Sequence, residues 1–225
     1  MKSMNTYLDV VYNKKQRPYT DYPSQLCRHL FEMFSMKKGD KLLDVGCGRG
    51  DFTKGFKDMG LEVAGIDREK GDSEMLQGIE VKISSDIEHG ALPFESERFD
   101  VVFSKSVIEH LREPDNFMKE VCRVLKPGGR IITMTPDWRS QIYIFYNDYT
   151  HVHPYTPEGL RRVHKVYGFK DVSSKLFYQL PALWKYPWLR IISKMLQLAG
   201  PVQKLHKNKF IRWSRELMIL ATGVK

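Results

Sequence analysis

A chain of 225 residues with 42% hydrophobic and 28% charged residues has the make-up of an ordinary globular protein, so disorder of the whole chain is excluded. We read it as one domain over residues 1–225. Its net charge of +9 is unevenly placed: Val172 to Arg215 holds nine Lys or Arg and no Asp or Glu, while the rest carries 27 basic against 27 acidic residues.

No stretch approaches the roughly 18 consecutive apolar residues needed to cross a bilayer. The start MKSMNTYLDVVYNKK has no apolar signal core, which leads us to expect a cytoplasmic protein. Cys27, Cys47 and Cys122 are widely spread and form no CxxC pair, so neither a disulfide framework nor a zinc site is expected.

In chain order, residues 1–40 form an N-terminal helical or lid region, with Tyr7, Tyr12, Tyr19 and Tyr22 ahead of the helix-like SQLCRHLFEMF. KLLDVG (41–46) is a compact strand-like run ending in glycine and followed by the helical DFTKGFKDMG. EVAGID (62–67), VKISSD (81–86) and FDVVFS (99–104) read as the second to fourth strands, and RIITMT (130–135), after the turn KPGG, as the fifth. The intervening VIEHLREPDNFMKEVCRVL keeps Phe117, Val121, Val124 and Leu125 at helical spacing. Strands alternating with helices predict an α/β, doubly wound, mostly parallel sheet with helices on both faces. Further on, Thr156 and Pro157 have the chemistry of an N-cap and a first helical position. FKDVSSKLF and ELMILATGV then read as a sixth and seventh strand, with a basic amphipathic insertion over 182–215 between them.

The strongest chemical signal is LDVGCGRG (43–50), directly after a strand and before a helix. Gly46, Gly48 and Gly50 allow a tight turn and close approach of a ligand to the main chain. A dinucleotide loop wants G-x-G-x-x-G around a pyrophosphate. Here the pattern is G-x-G-x-G, with Asp51 where the last glycine would stand, and Asp44 nearby in sequence. Such acidic flanks oppose a pyrophosphate and suit a cationic sulfonium that carries an ammonium group, which favours S-adenosylmethionine over NAD.

Over Leu43 to Asp137 the chain resembles the class I S-adenosylmethionine-dependent methyltransferases, especially the small-molecule branch of the ubiquinone-biosynthesis enzymes. LDVGCGRG, GIDRE, SSDIEHGALPF, FDVVFSKSVIEHL and VLKPGGRI carry the likeness, in the family's order. The resemblance implies a Rossmann-like sheet of seven strands with the last antiparallel. It implies a cofactor site of Asp44, Gly46, Cys47, Gly48 and Gly50 in the loop, Asp67 and Arg68 at the ribose, Asp86 and Ile87 near the adenine, and Ser104 at the end of the fourth strand. A carboxylate at the tip of the second strand suits this, because it can accept both ribose hydroxyls.

For the chemistry, His151 is the first candidate base and His110, in SVIEHL, the second, unless His110 is a local packing residue. The pair His151-x-His153 shows no third ligand nearby in sequence, so no metal is expected. FSKS stands where exocyclic-amine methylases of nucleic-acid bases carry (D/N)PP(Y/F), and no cysteine follows a proline as cytosine C5 methylation usually requires. The expected reaction is methyl transfer to a small-molecule, lipid-linked or saccharide acceptor, at oxygen. Two rivals remain: an RNA-binding methyltransferase using the basic segment with Trp184, Trp188 and Trp213, and a non-catalytic cofactor-binding scaffold. In Trp188 to Ala199, Trp188, Ile191, Ile192, Met195 and Ala199 share one helical face, with Arg190, Lys194 and Gln197 on another. This predicts either a lid whose apolar face packs inward or a helix that lies on an anionic membrane surface.

Overall fold

The computed structural model describes residues 18–69, 71–72, 74–84, 86–202 and 208–225. Tyr7 and Tyr12 lie outside them, as do Lys204 and Lys207. Seven strands lie in the order β3-β2-β1-β4-β5-β7-β6. The chain divides into two compact units, 1–87 and 88–225, and the division falls inside the expected cofactor core of 41–137.

The first unit opens with helix α1 (Tyr22–Met33), which has a proline in its first turn and buries Leu26, Cys27 and Leu30. That face meets α2 (Asp51–Asp58) so closely that a Cβ on Gly55 would stand 2.7 Å from Cys27 Sγ. Strands β1 (Lys41–Val45) and β2 (Glu62–Asp67) pair in parallel from Lys41↔Glu62 to Val45↔Ile66, and apart from Asp44 their buried positions carry no polar side chain. Strand β3 (Glu80–Ile83) adds in parallel to β2. The run expected to continue to Asp86 stops at Ile83: β3 has mostly exposed side chains, so little apolar burial holds its end.

The second unit carries β4 (Phe99–Lys105), a 3₁₀ turn at Ile108–His110, helix α3 (Asp115–Val124) and β5 (Leu125–Pro136). Phe117, Val121 and Val124 are buried on α3 as expected. Leu125, however, already opens β5, pairing with Phe99. Lys126 to Gly129, read as a turn, instead form a bulge in the strand, tied by Lys126 Nζ to Asp100 at 2.7 Å. After the short α4 (Trp138–Gln141) and a 3₁₀ turn at Phe145–Asn147 comes α5 (Pro157–Val166). Thr156 caps α5 as expected, its Oγ1 accepting from Gly159 N. Strand β6 (Lys170–Phe177) and β7 (Met218–Val224) are antiparallel, and β7 runs antiparallel to β5 as well. Between them the basic insertion folds into α6 (Ala182–Lys185), α7 (Leu189–Gln197) and α8 (Lys209–Arg215).

Candidate active site

In the first unit the site is made of main chain. Gly46 N and Cys47 N both donate to Ile66 O, at 2.8 and 3.2 Å, and so tie the loop after β1 to the end of β2. Gly46, Gly48 and Gly50 all have left-handed φ, at 77°, 53° and 95°. At Gly50 a Cβ would stand 2.6 Å from Leu76 Cδ2, so a side chain there would strain the left-handed backbone and displace Leu76. At Gly48 nothing lies within 4 Å of the place a Cβ would take. The main chain there faces open space, which is the room a cofactor needs to lie against it.

The carboxylates divide their tasks. Asp44 is buried and accepts from Thr53 Oγ1 at 2.6 Å, which locks β1 to α2. Asp67 accepts from Gly48 N at 2.7 Å with one oxygen, and from Arg68 N and Glu69 N at 2.7 and 3.3 Å with the other. Its carboxylate therefore stands at the open loop, held by three backbone N–H groups. The side chain of Arg68 is exposed. Asp51 belongs to a different balance: Arg49 pairs with it at 3.1 Å and stacks on the Tyr19 ring at 4.5 Å, while Tyr19 donates to Asp72 at 2.7 Å. The negative charge presented by the loop thus rests on Asp44 and Asp67, with Asp51 offset by Arg49. Burial, with Asp44 and Asp67 adding to it, pushes the Cys47 thiol up, so Cys47 is a neutral packing group. Asp86 is exposed and Ile87 half-buried, just past the end of β3. These residues fit a cationic, ribose-bearing cofactor.

In the second unit the site is made of side chains. Ser104 is buried near the end of β4, and its Oγ has no partner among the described residues. Beyond β4, His110 and His151 meet with ring centroids 4.8 Å apart. His110 Nδ1 faces Thr150 O and Oγ1 at 3.2 and 2.9 Å. Since Thr150 Oγ1 gives its proton to Asp148, at 2.6 Å, and a carbonyl only accepts, His110 Nδ1 is the donor. His151 Nδ1 lies 2.7 Å from Phe145 O and must donate to it. In both neutral rings the lone pair is therefore on Nε2. Burial holds the His151 imidazole below its usual value, against the opposing pull of the Phe145 carbonyl and Asp148. His153 stacks on Tyr155 at 4.5 Å and does not join the pair.

Sequence reasoning passed over Glu109. It is fully buried; Thr135 Oγ1 donates to its Oε2 at 2.9 Å, and Oε1 has no partner among the described residues. Its main-chain oxygen accepts from Val152 N and His153 N, at 2.9 and 3.0 Å, and this anchors the histidine loop. Burial pushes the Glu109 carboxyl up to about 7, more than its hydrogen bonds pull it down. Ligand-type atoms of Glu109, His110 and His151 all lie within 4.8 Å of one another, a set of the kind that holds a metal ion. The expectation of no metal rested on local spacing, which does not register a group whose members are 41 residues apart. The sequence signal that would have pointed to Glu109 is a carboxylate inside the apolar run VIEHL.

Comparison with known proteins bears on the family and the fold. Residues 43–133 match the family model described as a methyltransferase domain. The chain is 31% identical over 194 residues to an uncharacterized protein of Methanocaldococcus jannaschii, covering 80% of this chain and 79% of that one. It is 29% identical over 113 residues to the ubiquinone biosynthesis O-methyltransferase of Pseudomonas fluorescens, a match that spans 48% of this chain and 49% of that enzyme. Its fold is similar to the crystal structure of a S-adenosylmethionine-dependent methyltransferase from Archaeoglobus fulgidus, with a TM-score of 0.67 at 22% identity over 98% of this chain and 100% of that one. With the strand order and these likenesses together, the chain belongs to the class I S-adenosylmethionine-dependent methyltransferases, and S-adenosylmethionine is its cofactor.

Proposed function

We propose that the chain methylates a hydroxyl oxygen of a small-molecule, lipid-linked or saccharide acceptor, with His151 as general base. The observation that carries this is the hydrogen bond from His151 Nδ1 to Phe145 O, which leaves Nε2 as the basic nitrogen of a half-buried ring. The bound cofactor supplies an electrophilic methyl group on a sulfonium. Gly48 leaves room beside the main chain, and Asp67 holds the ribose. His151 Nε2 would take the hydroxyl proton as the methyl group passes from sulfur to the acceptor oxygen, a contribution of about 10²- to 10⁴-fold for a well-placed base. Its depressed basicity keeps the ring neutral near pH 7, ready to accept. His110 packs edge-on against it and fixes its tilt.

The orphaned Glu109 Oε1 and its approach to both imidazoles favour one alternative: a divalent cation held by Glu109, His110 and His151 that acidifies the acceptor hydroxyl in place of a base. Chelation separates the two, because a base needs no metal.

The test uses S-adenosylmethionine carrying a ¹³C-methyl group, a size-fractionated cell extract and NMR of the product. Carbon shifts of an O-methyl group in a lipid or saccharide fraction are the expected result. An N- or C-methyl product, or label in RNA, would overturn the reading. Tight cofactor binding with no turnover in any fraction would leave the scaffold role instead.

A further inference from the structure

Helix α7 turns most of its apolar surface outward, with Leu189 and Leu196 half-buried on the inner side. The side chain it buries is Ser193, whose Oγ lies 2.8 Å from Ser214 Oγ on α8, and Gln197 reaches Ser214 O at 2.9 Å and the Tyr178 hydroxyl at 3.1 Å. Its apolar arc faces outward: Trp188 is 63% exposed, Ile191 66%, Met195 65% and Leu198 86%, with Ile192 beside them. At 100° per residue these five positions span about a third of the helix circumference, and Arg190 and Lys194 flank them on one side. A lid that packs its greasy face on the domain would show the reverse. A contiguous apolar arc left in water points to a partner.

We propose that the outward face of α7 docks on an anionic lipid surface, with Trp188, Ile191, Ile192, Met195 and Leu198 entering the interface. Arg190 and Lys194 beside the arc are exposed, as are Lys185 and Lys209 elsewhere in the insertion, and no acid occurs in the sequence between Val172 and Arg215. Arg212 and Arg215 are spent within the insertion, the first paired with Glu216 and the second bonded to the carbonyls of Gly200 and Pro201 at 2.8 and 2.9 Å. Aliphatic residues dominate the arc, which suits acyl chains better than bases, since single-stranded nucleic acid stacks on aromatic rings. A second copy of the chain would bring the same cations face to face without a counter-charge. Nor does any helix among the described residues have the length and apolarity to cross a membrane, so the contact lies in the interface plane. The proposal stands whether or not His151 is the base.

Cosedimentation with vesicles tests it. The full chain should bind phosphatidylglycerol-containing vesicles at low salt, ignore pure phosphatidylcholine, and release as salt is raised toward about 0.5 M, where screening is short-ranged. Each Lys or Arg near an anionic leaflet contributes about a fivefold change in partition, so R190Q with K194Q should weaken binding about 25-fold. I191S with M195S should weaken it at least about tenfold, through lost apolar burial. All four side chains are exposed, so the melting temperature and calorimetric cofactor affinity should stay at wild-type values. Brominated lipids should quench wild-type tryptophan fluorescence, and W188F should remove most of that quenching. No binding to anionic vesicles at low salt would overturn the proposal, as would binding untouched by I191S with M195S. Retention of RNA on filters without vesicle binding would hand the face to nucleic acid. A wild-type dimer that I191S with M195S converts to monomer, again without vesicle binding, would hand it to a second copy.

Discussion

The glycine loop of the first unit and the histidine cluster of the second are built by different means. The loop works through main chain: three left-handed glycines, two N–H groups gathered on Ile66 O, and a carboxylate caught by Gly48 N. The cluster works through side chains from distant parts of the chain, Glu109 and His110 from one turn and Asp148 to His151 from another, stitched by the bonds of Thr150 and of the Glu109 carbonyl. The first kind of site should answer to added Cβ atoms and be nearly indifferent to pH. The second should answer to single side-chain deletions and to protonation.

The largest expected effect is on the second site. His151→Ala should lower kcat by about 10²- to 10⁴-fold while calorimetric affinity for S-adenosylmethionine stays intact. In the wild type, kcat should rise with pH through a value below the ordinary 6.5 of histidine, because burial depresses His151 and the base acts only when neutral. If His151→Ala abolished cofactor binding instead, the separation between the two sites would be broken.

Glu109→Gln comes next. The native carboxyl titrates at about 7 and the unfolded one near 4.5, so between those values the folded chain holds a proton that the unfolded chain has released. Stability is therefore lost as pH rises through that window. The Gln variant keeps an acceptor for Thr135 and has no charge to bury, so urea unfolding should find it more stable than wild type at pH 8 by up to about 3 kcal/mol, with little gain at pH 4. A gap that does not open with pH would show that Glu109 is not desolvated. The buried His164, pushed down to about 4, has the opposite sense: between 6.5 and 4 the unfolded chain takes up a proton that the native state refuses, so stability falls as pH drops.

In the loop, Asp67→Ala should weaken S-adenosylmethionine binding about 10- to 100-fold by isothermal calorimetry. Unchanged affinity in a folded variant would remove Asp67 from the site. The smallest effects separate two glycines. Gly48→Ala incurs about 1 to 2 kcal/mol of left-handed strain and intrudes on the open face, so cofactor affinity should fall. Gly50→Ala adds the collision with Leu76 to the same strain, so its melting temperature should fall further than that of Gly48→Ala.

Elements whose cause is local were readable from the residues. β2 spans Glu62–Asp67 as expected, α5 begins at the Thr156 cap, and the glycines of LDVGCGRG make the tight turn expected of them, through left-handed angles. Contiguous patterns and one-residue conformational rules suffice for these. The end of β3, the bulge of Lys126 to Gly129 and the placement of Leu125 escaped, since pairing partners elsewhere in the sheet decide them.

What the sequence determined on its own is the cofactor class, because glycines and acids at fixed short spacings leave little choice of ligand. Only the tertiary structure decided that Glu109 is buried against Thr135, that His110 meets His151 across 41 residues, and that α7 turns Ser193 inward and its apolar arc outward. Helical periodicity reveals that a helix has two faces, but which face meets protein depends on what the rest of the chain brings against it. Here the hydroxyl of Ser214 and the hydrogen bonds of Gln197 hold the polar face in.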